Sequence, residues 1–485
     1  MARVVVVGAG VGGLGAALAL GRAGHEVTVL ERDATPLPGS ADEAFAWDRR
    51  GAPQVRHSHA FLARLRNLLR DRFPDVLAAL LDAGASELRF AELLPPAMED
   101  RSPRPGDDDL VALACRRTTF EWVLRRSVLA APAVRLLDGV AVDGLVAGGG
   151  DGLPLVAGVT ATAGGAPATF PADLVVVATG RRSGLPAWLD AAGLGPLEED
   201  EEDTGIVYFS RFYRLAPGAE PPAGDALVAV DLGYLKFAVF AGDNRTFSVT
   251  LATASDDAAL RGLLLDPAAF DATVLALPPA RAWLEPGRAE ATTPVQAMAR
   301  LVNRRRRFLR ADGRPVAAGV AAVGDAHTCT NPLYGRGCSR AMVQAVLLAD
   351  TVAATAGDPV ATALAYEEAS EREVGPWYRA AVAQDRANRL AGAGASGGAD
   401  ADGDGLSFRS LVRDGLLPAA RTDPDVFRAF VRAFNLLSLP DDLMADPVLA
   451  GRILGAWQER HARPPEPPLG PDRETLLATL AGRAA

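Results

Sequence analysis

The 485-residue sequence predicts an α/β fold: one domain on a mostly parallel sheet, a second on an antiparallel β-sheet, and a C-terminal helical region. Three observations predict it. The chain opens on an apolar run, Arg3-Val4-Val5-Val6-Val7, that breaks into Gly8-Ala9-Gly10-Val11-Gly12-Gly13. Two later apolar runs, residues 173–180 and 316–325, also end in small-residue turns, as buried parallel strands do. Between them, residues 204–253 alternate aromatic and β-branched side chains, the pattern of an antiparallel sheet.

The first element is the most informative. A helix-prone stretch, residues 14–22, follows the glycines and closes at Gly24, and Glu26-Val27-Thr28-Val29-Leu30 reads as a second strand ending in Glu31-Arg32. Strand, glycine turn, helix, strand and acid together form a Rossmann-like dinucleotide site, where a lone G-x-G-x-x-G would be weak evidence. Gly8 permits the tight turn, Gly10 lets the backbone approach a pyrophosphate, and Gly13 lets helix and strand pack closely. Glu31 takes the adenosine ribose hydroxyls. The candidates at this end are Gly8, Gly10, Gly12, Gly13, Glu31 and Arg32.

Composition bounds the rest. Hydrophobic residues make up 49% and charged residues 23%, as in a soluble protein of two or three domains. A net charge of −10 argues against nucleic-acid binding. Three cysteines without CxxC spacing fit a reducing cytoplasm and no zinc ribbon. The apolar start carries only Arg3 ahead of it and its glycines follow the nucleotide pattern, so it reads as fold rather than a targeting segment. No other run reaches about 18 apolar residues, so no membrane span is expected.

Residues 49–59 read Arg-Arg-Gly-Ala-Pro-Gln-Val-Arg-His-Ser-His and lead into a helix over 60–72. His57 and His59 share a face only on a strand, and a metal would need a third ligand that no nearby carboxylate supplies. The segment reads instead as a loop and helix start lying against a cofactor. A second helix covers 76–83, and the proline-rich residues 92–109 read as a surface excursion. A short strand at 111–115 precedes Arg116-Arg117-Thr118-Thr119-Phe120, which opens a helix to 129. Residues 134–171 form strands with a hairpin turn at Gly148-Gly149-Gly150-Asp151-Gly152.

The run Asn303-Arg304-Arg305-Arg306-Arg307 reads as a salt-bridged strand entry rather than a ligand site. After the strand at 316–323, Gly324-Asp325-Ala326 and Asn331-Pro332-Leu333-Tyr334-Gly335-Arg336-Gly337 lead into a helix over 339–355. Asp325 is placed to bond hydroxyls, and Gly335 and Gly337 to offer N–H groups at a helix start. Beyond 356 the chain is mostly helical. A second G-x-G-x-x-G at 392–397 lacks a strand and reads as a linker. Residues 400–411 begin like a calcium loop but carry Leu411 where glutamate is required.

Taken together, Gly8 to Gly13 with Glu31, residues 173–180, and Gly324-Asp325 with Pro332 to Gly337 resemble the FAD-dependent monooxygenases of the para-hydroxybenzoate hydroxylase type. A closer resemblance, to actinobacterial flavin epoxidases of polyether biosynthesis, rests on residues 51–59, 203–208, 302–305 and 331–335. Arg336, Cys338 and the 392–405 insert depart from that pattern. Flavin halogenases are distant relatives, but their W-x-W-x-I-P motif is absent and the sole lysine, Lys236, lies in the sheet region.

The resemblance implies a glutathione-reductase-type FAD-binding domain at 1–90, 106–185 and 300–356, a β-sheet substrate domain at 91–105 and 186–299, and a helical region at 357–485. It implies that Asp325 bonds the ribityl chain, that Pro332 to Gly337 faces the isoalloxazine, that Gly180 lines the ligand, and that Arg117 (or Arg116) approaches the FAD. His57, His59, Arg56 and Tyr334 are the polar candidates nearest the ring, with His327 close behind Asp325.

The implied reaction uses NAD(P)H as transient co-substrate and O₂. Oxygen passes from a flavin C4a-hydroperoxide to an alkene or electron-rich ring of an apolar or aromatic substrate, as an epoxidase or hydroxylase of specialised metabolism. A non-redox FAD-containing cyclase or scaffold, and an FAD-dependent reductase of a prenyl or polyene chain, are the alternatives.

Overall fold

The computed structural model describes residues 1–149, 153–222, 228–395, 407–464 and 467–484. A five-stranded parallel sheet runs in the order Val320–Ala322, Leu174–Val177, Arg3–Val7, Glu26–Glu31, Val134–Asp138. Alternation divides each strand between two cores. Val4 and Val6 pack under the helices Val11–Arg22, Arg117–Ala130 and Gly337–Ala354, whereas Val5 and Val7 pack beneath the meander Val140–Gly148, Leu155–Ala163, Ala166–Pro171. The last parallel strand is shorter than the expected 316–323. Gly319 (φ +72°) interrupts it, because a side chain there would meet the Val156 carbonyl oxygen at 2.4 Å.

The second sheet is antiparallel: Val228–Asp231, Leu235–Ala241, Thr246–Ala254, Ile206–Leu215 and Ala289–Ala291, with Gln296–Met298 also paired to Ile206–Leu215. One face buries Val207, Phe209, Tyr213, Val249 and Leu251 against the helices Ala258–Leu263 and Pro267–Leu275, capped by Asp257 and Asp266, and against Leu476 and Leu480 of Arg473–Ala484. The other face carries Tyr208, Ser210, Phe212, Ser248 and Thr250, all buried although three are polar. It meets the dinucleotide domain, where Phe212 lies edge-on to Phe45 at 5.3 Å.

The arginine run is a strand. Val302–Arg307 pairs antiparallel with the wholly acidic Glu198–Asp203 and with Thr328–Cys329. Arg307 pairs with Asp200 at 2.6 Å, Arg306 with Glu199 at 2.6 Å, and Arg304 with Glu201. Cross-strand neutralisation overrides the poor strand propensity of six consecutive acids.

Residues 91–105, expected with the sheet, carry contacts to the C-terminal helix Pro424–Phe434 through Arg104 with Asp425 and Arg428 Nη2 with the Ser102 carbonyl at 3.1 Å. The helix Gly375–Ala395 runs through the first four residues of the expected linker at 392–397. Its remainder, most of the acidic loop at 400–411, and the Gly150-Asp151-Gly152 part of the expected hairpin turn lie outside the described residues. Among the described residues no helix is long and apolar enough to cross a membrane.

Candidate cofactor site

Three glycine turns meet at the carboxyl ends of adjacent parallel strands. At the first, Gly8 has φ +101°, and a side chain at Gly13 would sit 1.9 Å from the Gly8 carbonyl oxygen. Gly12 lies against Val323, and Gly15 against Met342 of the helix Gly337–Ala354, so the first and third turns share one packing seam. In contrast, Gly10, Gly180 and Gly337 have no atom within 4 Å of the position a Cβ would take. Neither helix that starts there, Val11–Arg22 or Gly337–Ala354, has a side-chain cap or an acid in its first turn. Their leading N–H groups are left for a ligand. Open space, uncapped helix starts and glycines on three sides fit an extended dinucleotide.

Glu31 stands at the end of its strand, buried, with Oε2 accepting from the Ala9 N–H at 2.9 Å and Oε1 from the Asp33 N–H at 2.9 Å. These bonds leave lone pairs for ribose hydroxyls. Arg32 is exposed. Arg49, which the sequence reasoning passed over, ties this end together. Its Nε donates to Glu121 Oε1 at 2.7 Å, and its Nη2 donates to the Ala9 carbonyl at 3.0 Å and approaches Glu31 Oε2 at 3.4 Å. Burial works to lower the Arg49 pKa, but Glu121, Glu31 and Asp33 outweigh it and hold it above its ordinary value. For Glu121 burial acts upward, and Arg49 and Arg117 prevail to hold the carboxyl below its ordinary range.

Arg117 is buried beside the third turn. It donates to Glu121 Oε2 at 2.9 Å and to Cys338 Sγ at 3.0 Å. Arg116 points elsewhere. It pairs with the buried Asp243 at 2.5 Å, fastening the antiparallel sheet to the dinucleotide domain.

The two histidines diverge. His59 Nδ1 lies 2.9 Å from the His57 carbonyl, so it carries the proton, and Nε2 accepts from Arg117 at 3.4 Å. Burial first, then Arg117, pushes the His59 pKa down to about 3. His57 faces the sheet. Its Nδ1 lies 3.2 Å from Ser210 Oγ, which bonds Thr250 Oγ1 at 2.9 Å, and that hydroxyl donates to Ser58 Oγ at 2.8 Å. Burial and then Arg181 push the His57 pKa down to about 4. Both rings are therefore neutral at physiological pH. Between them and the sheet lies a cavity of about 10 Å³, room for a single water. Arg56 is exposed and stands apart from this group.

At the third turn, burial raises the Asp325 pKa against the opposing pull of Arg340, Arg181, Arg117 and Arg306. Arg306 donates to the Asp325 and Ala326 carbonyls at 3.2 and 2.8 Å, so one arginine of the run reaches the site after all. His327 turns away, held between Thr328 and Glu367 and stacked on Phe308 at 5.4 Å. Tyr334 also turns from the cradle: its hydroxyl donates to Asp385 Oδ1 at 2.7 Å. Asp385, buried, accepts two more bonds, from Asn331 Nδ2 at 2.9 Å and Asn303 Nδ2 at 2.7 Å. Nothing in the sequence marked Asp385, because its partners lie more than 50 residues away in the chain.

The fold is that of the flavin-dependent monooxygenases and halogenases. The chain is similar to p-nitrophenol 4-monooxygenase PnpA from Pseudomonas putida, with TM-score 0.59 and 17% identity over 90% of this chain and 99% of that one. It is similar to the anhydrotetracycline hydroxylase OxyS from Streptomyces rimosus, with TM-score 0.57 and 20% identity over 90% and 76%. It is also similar to the myxobacterial chondrochloren halogenase CndH, with TM-score 0.57 and 17% identity over 99% and 95%. Residues 3–47 match the pyridine nucleotide-disulphide oxidoreductase model. In sequence, Protein Rv3254 of Mycobacterium tuberculosis is 30% identical over 236 residues, which is 44% of this chain and 46% of that protein. The match thus spans about half of the curated relative's length.

Proposed function

We propose that the chain is an FAD-dependent monooxygenase of specialised metabolism that uses NAD(P)H and O₂ to oxygenate an alkene or an electron-rich ring of a small apolar or aromatic substrate. The observation that carries the reading is the open cradle at Gly10, Gly180 and Gly337, built from three separate segments at the carboxyl edge of one sheet. A flavin dinucleotide needs that length and those uncapped helix starts. In this reading Gly8 to Gly13 and Glu31 hold the adenosine and pyrophosphate. Asp325 and the Asn331-to-Gly337 turn hold the flavin end.

Bound there, FAD supplies redox chemistry, taking reducing equivalents from NAD(P)H and activating O₂. The protein's own part is orientation, dryness and proton management. The helix Gly337–Ala354 directs the positive end of its dipole at the flavin end of the cradle. The sheet face of Tyr208, Phe212 and Ala252 excludes water. His57, neutral and linked through Ser210 and Thr250 to Ser58, can pass a proton along hydroxyls without becoming charged. Among the described residues no carboxylate is hydrogen-bonded to a member of that chain to deprotonate a phenol, which favours an alkene as the acceptor, in keeping with a polyether-type epoxidase.

A halogenase reading lacks support from the single lysine, since Lys236 pairs with Asp231 on the sheet. The test has three arms. The purified protein should carry or take up FAD with a flavin absorption spectrum. Substrate should accelerate NAD(P)H consumption only in the presence of O₂. Label from ¹⁸O₂ should enter the product as one atom. A colourless protein that takes up no added FAD sinks the reading. Substrate reduction without oxygen incorporation points to a reductase, and FAD binding without turnover to a scaffold.

A further inference from the structure

We propose that Arg336 anchors a carboxylate of the substrate, at the junction of the flavin-facing turn and the C-terminal helix Gly375–Ala395. The inference rests on the flavoenzyme reading and narrows its substrate to an apolar molecule bearing an acid. Arg336 immediately precedes the helix Gly337–Ala354. Its guanidinium carbon lies over the Tyr334 ring at 5.0 Å and the Trp377 ring at 4.6 Å. A ring face gives the cation electrostatic attraction but no acceptor atom for its N–H groups. Nε and Nη1, which lie on different edges of the group, are both enclosed by protein and have no hydrogen-bond partner.

The buried arginines of the site each make at least one side-chain bond that Arg336 lacks. Arg49 and Arg117 share Glu121, Arg116 has Asp243, Arg306 has Glu199, and Arg340 bonds Thr330 at 2.8 Å. A carboxylate of the C-terminal helix near the arginine, Asp385, already accepts from Asn303, Asn331 and Tyr334. Enclosing Nε and Nη1 of a half-buried cation that makes no ion pair is costly, and burial depresses the Arg336 pKa to about 10. An anion bound from outside would relieve that cost.

The chemistry of the anion follows from the surroundings. A planar guanidinium edge matches the two oxygens of a carboxylate. On one side the arginine meets Trp377, which forms a buried apolar cluster with Leu62 and Leu436, with Ala60 packed on it. An acid carried on a hydrocarbon body satisfies both halves. Inorganic anions satisfy only one.

The experiment uses the FAD-loaded full chain, with octanoate and its uncharged counterpart octanamide as probes. Binding is read by calorimetry and by perturbation of the flavin absorption bands. Octanoate should bind at least tenfold more tightly than octanamide. R336Q should lose that preference. R336K, which keeps the charge without the fork, should retain part of it, and R314Q, at an exposed arginine paired with Asp312, should retain all of it. No octanoate binding, equal binding of the two probes, or an undiminished preference in R336Q overturns the proposal. Should R336Q fail to fold, equal binding of the two probes to wild type or a full preference in R336K still decides against it. The flavin spectrum of the preparation separately tests the flavoenzyme reading, so the two can fail independently.

Discussion

Replacing Asp385 by asparagine isolates the contribution of one buried carboxylate to the flavin-facing turn. Oδ1 accepts from Asn331 Nδ2 at 2.9 Å and Tyr334 Oη at 2.7 Å, and Oδ2 accepts from Asn303 Nδ2 at 2.7 Å. An amide can keep its oxygen toward the first pair. Its NH₂ then faces the Asn303 NH₂, donor against donor. One charge-assisted bond is lost, worth about 1.5–3 kcal/mol, partly offset by no longer burying a charge. A net loss of about 2 kcal/mol in local stability corresponds to roughly 30-fold in the opening equilibrium. The Asn331 amide, bonded to Asn303 Oδ1 at 2.9 Å, reports that opening directly. Hydrogen exchange of D385N should therefore speed up by roughly that factor at residue 331, while amides of the Arg3–Val7 strand stay unchanged. Alanine at this position strands all three donors and should do more damage than asparagine. Unchanged exchange at residue 331 in D385N, or a D385A variant no worse than D385N, refutes the reasoning.

G13A and G10A should separate fold from ligand. The added methyl at residue 13 meets backbone at 1.9 Å and should prevent the turn from closing, whereas at residue 10 it meets nothing. Thermal melts with and without FAD should show G10A unchanged in the apo form but at least tenfold weaker for FAD; equal damage by both contradicts the assignment. R49M leaves Glu31 without its cation and Glu121, with no exposed side-chain surface, with Arg117 alone, and should cost about 3–5 kcal/mol in urea denaturation. His57 and His59 are held to pKa values of about 4 and about 3 when folded, against 6.5 when unfolded. The unfolded chain therefore binds more protons below pH 6.5. Stability should be level above that pH and fall between 6.5 and 4, by up to about 1.4 kcal/mol per pH unit for each histidine. The double variant H57Q/H59Q should flatten that limb of a urea-midpoint profile.

Local patterns carried far in the sequence. Four valines or leucines before a glycine turn can hardly be anything but a buried strand, so the dinucleotide edge and its glycines were legible. The period-2 alternation of 204–253 likewise announced which residues face which way. What stayed hidden depends on partners distant in the chain. Six consecutive acids, Glu198 to Asp203, have no strand propensity until Val302–Arg307 lies beside them. Arg49 sat inside a segment already singled out, yet its role needs Glu121 and the Ala9 carbonyl to be seen. Arg116 and Arg117 are adjacent in sequence, and only the helix geometry sends one to Asp243 and the other to Cys338. Tyr334 belonged to the right turn but faces Asp385, because successive side chains of a tight turn diverge.

The strand order of the parallel sheet sets a timetable for synthesis. Its central neighbours, Arg3–Val7 and Leu174–Val177, are separated by most of two hundred residues, and the edge strand Val320–Ala322 comes later still. Until that edge arrives, Leu174–Val177 exposes a row of unpaired backbone groups, the hazard that uncapped sheet edges carry. The helix that completes the third turn follows the edge strand out of the ribosome, and Asp385 emerges after both. A nascent chain can therefore form the glycine turn at residues 8–13 early, but it has no complete cradle until nearly four hundred residues have been made. Pairing of distant segments is slow, and the half-built sheet is exposed in the meantime. Supply of the cofactor during expression acts only on the finished chain, whereas lower temperature and slower translation act on the vulnerable interval before it.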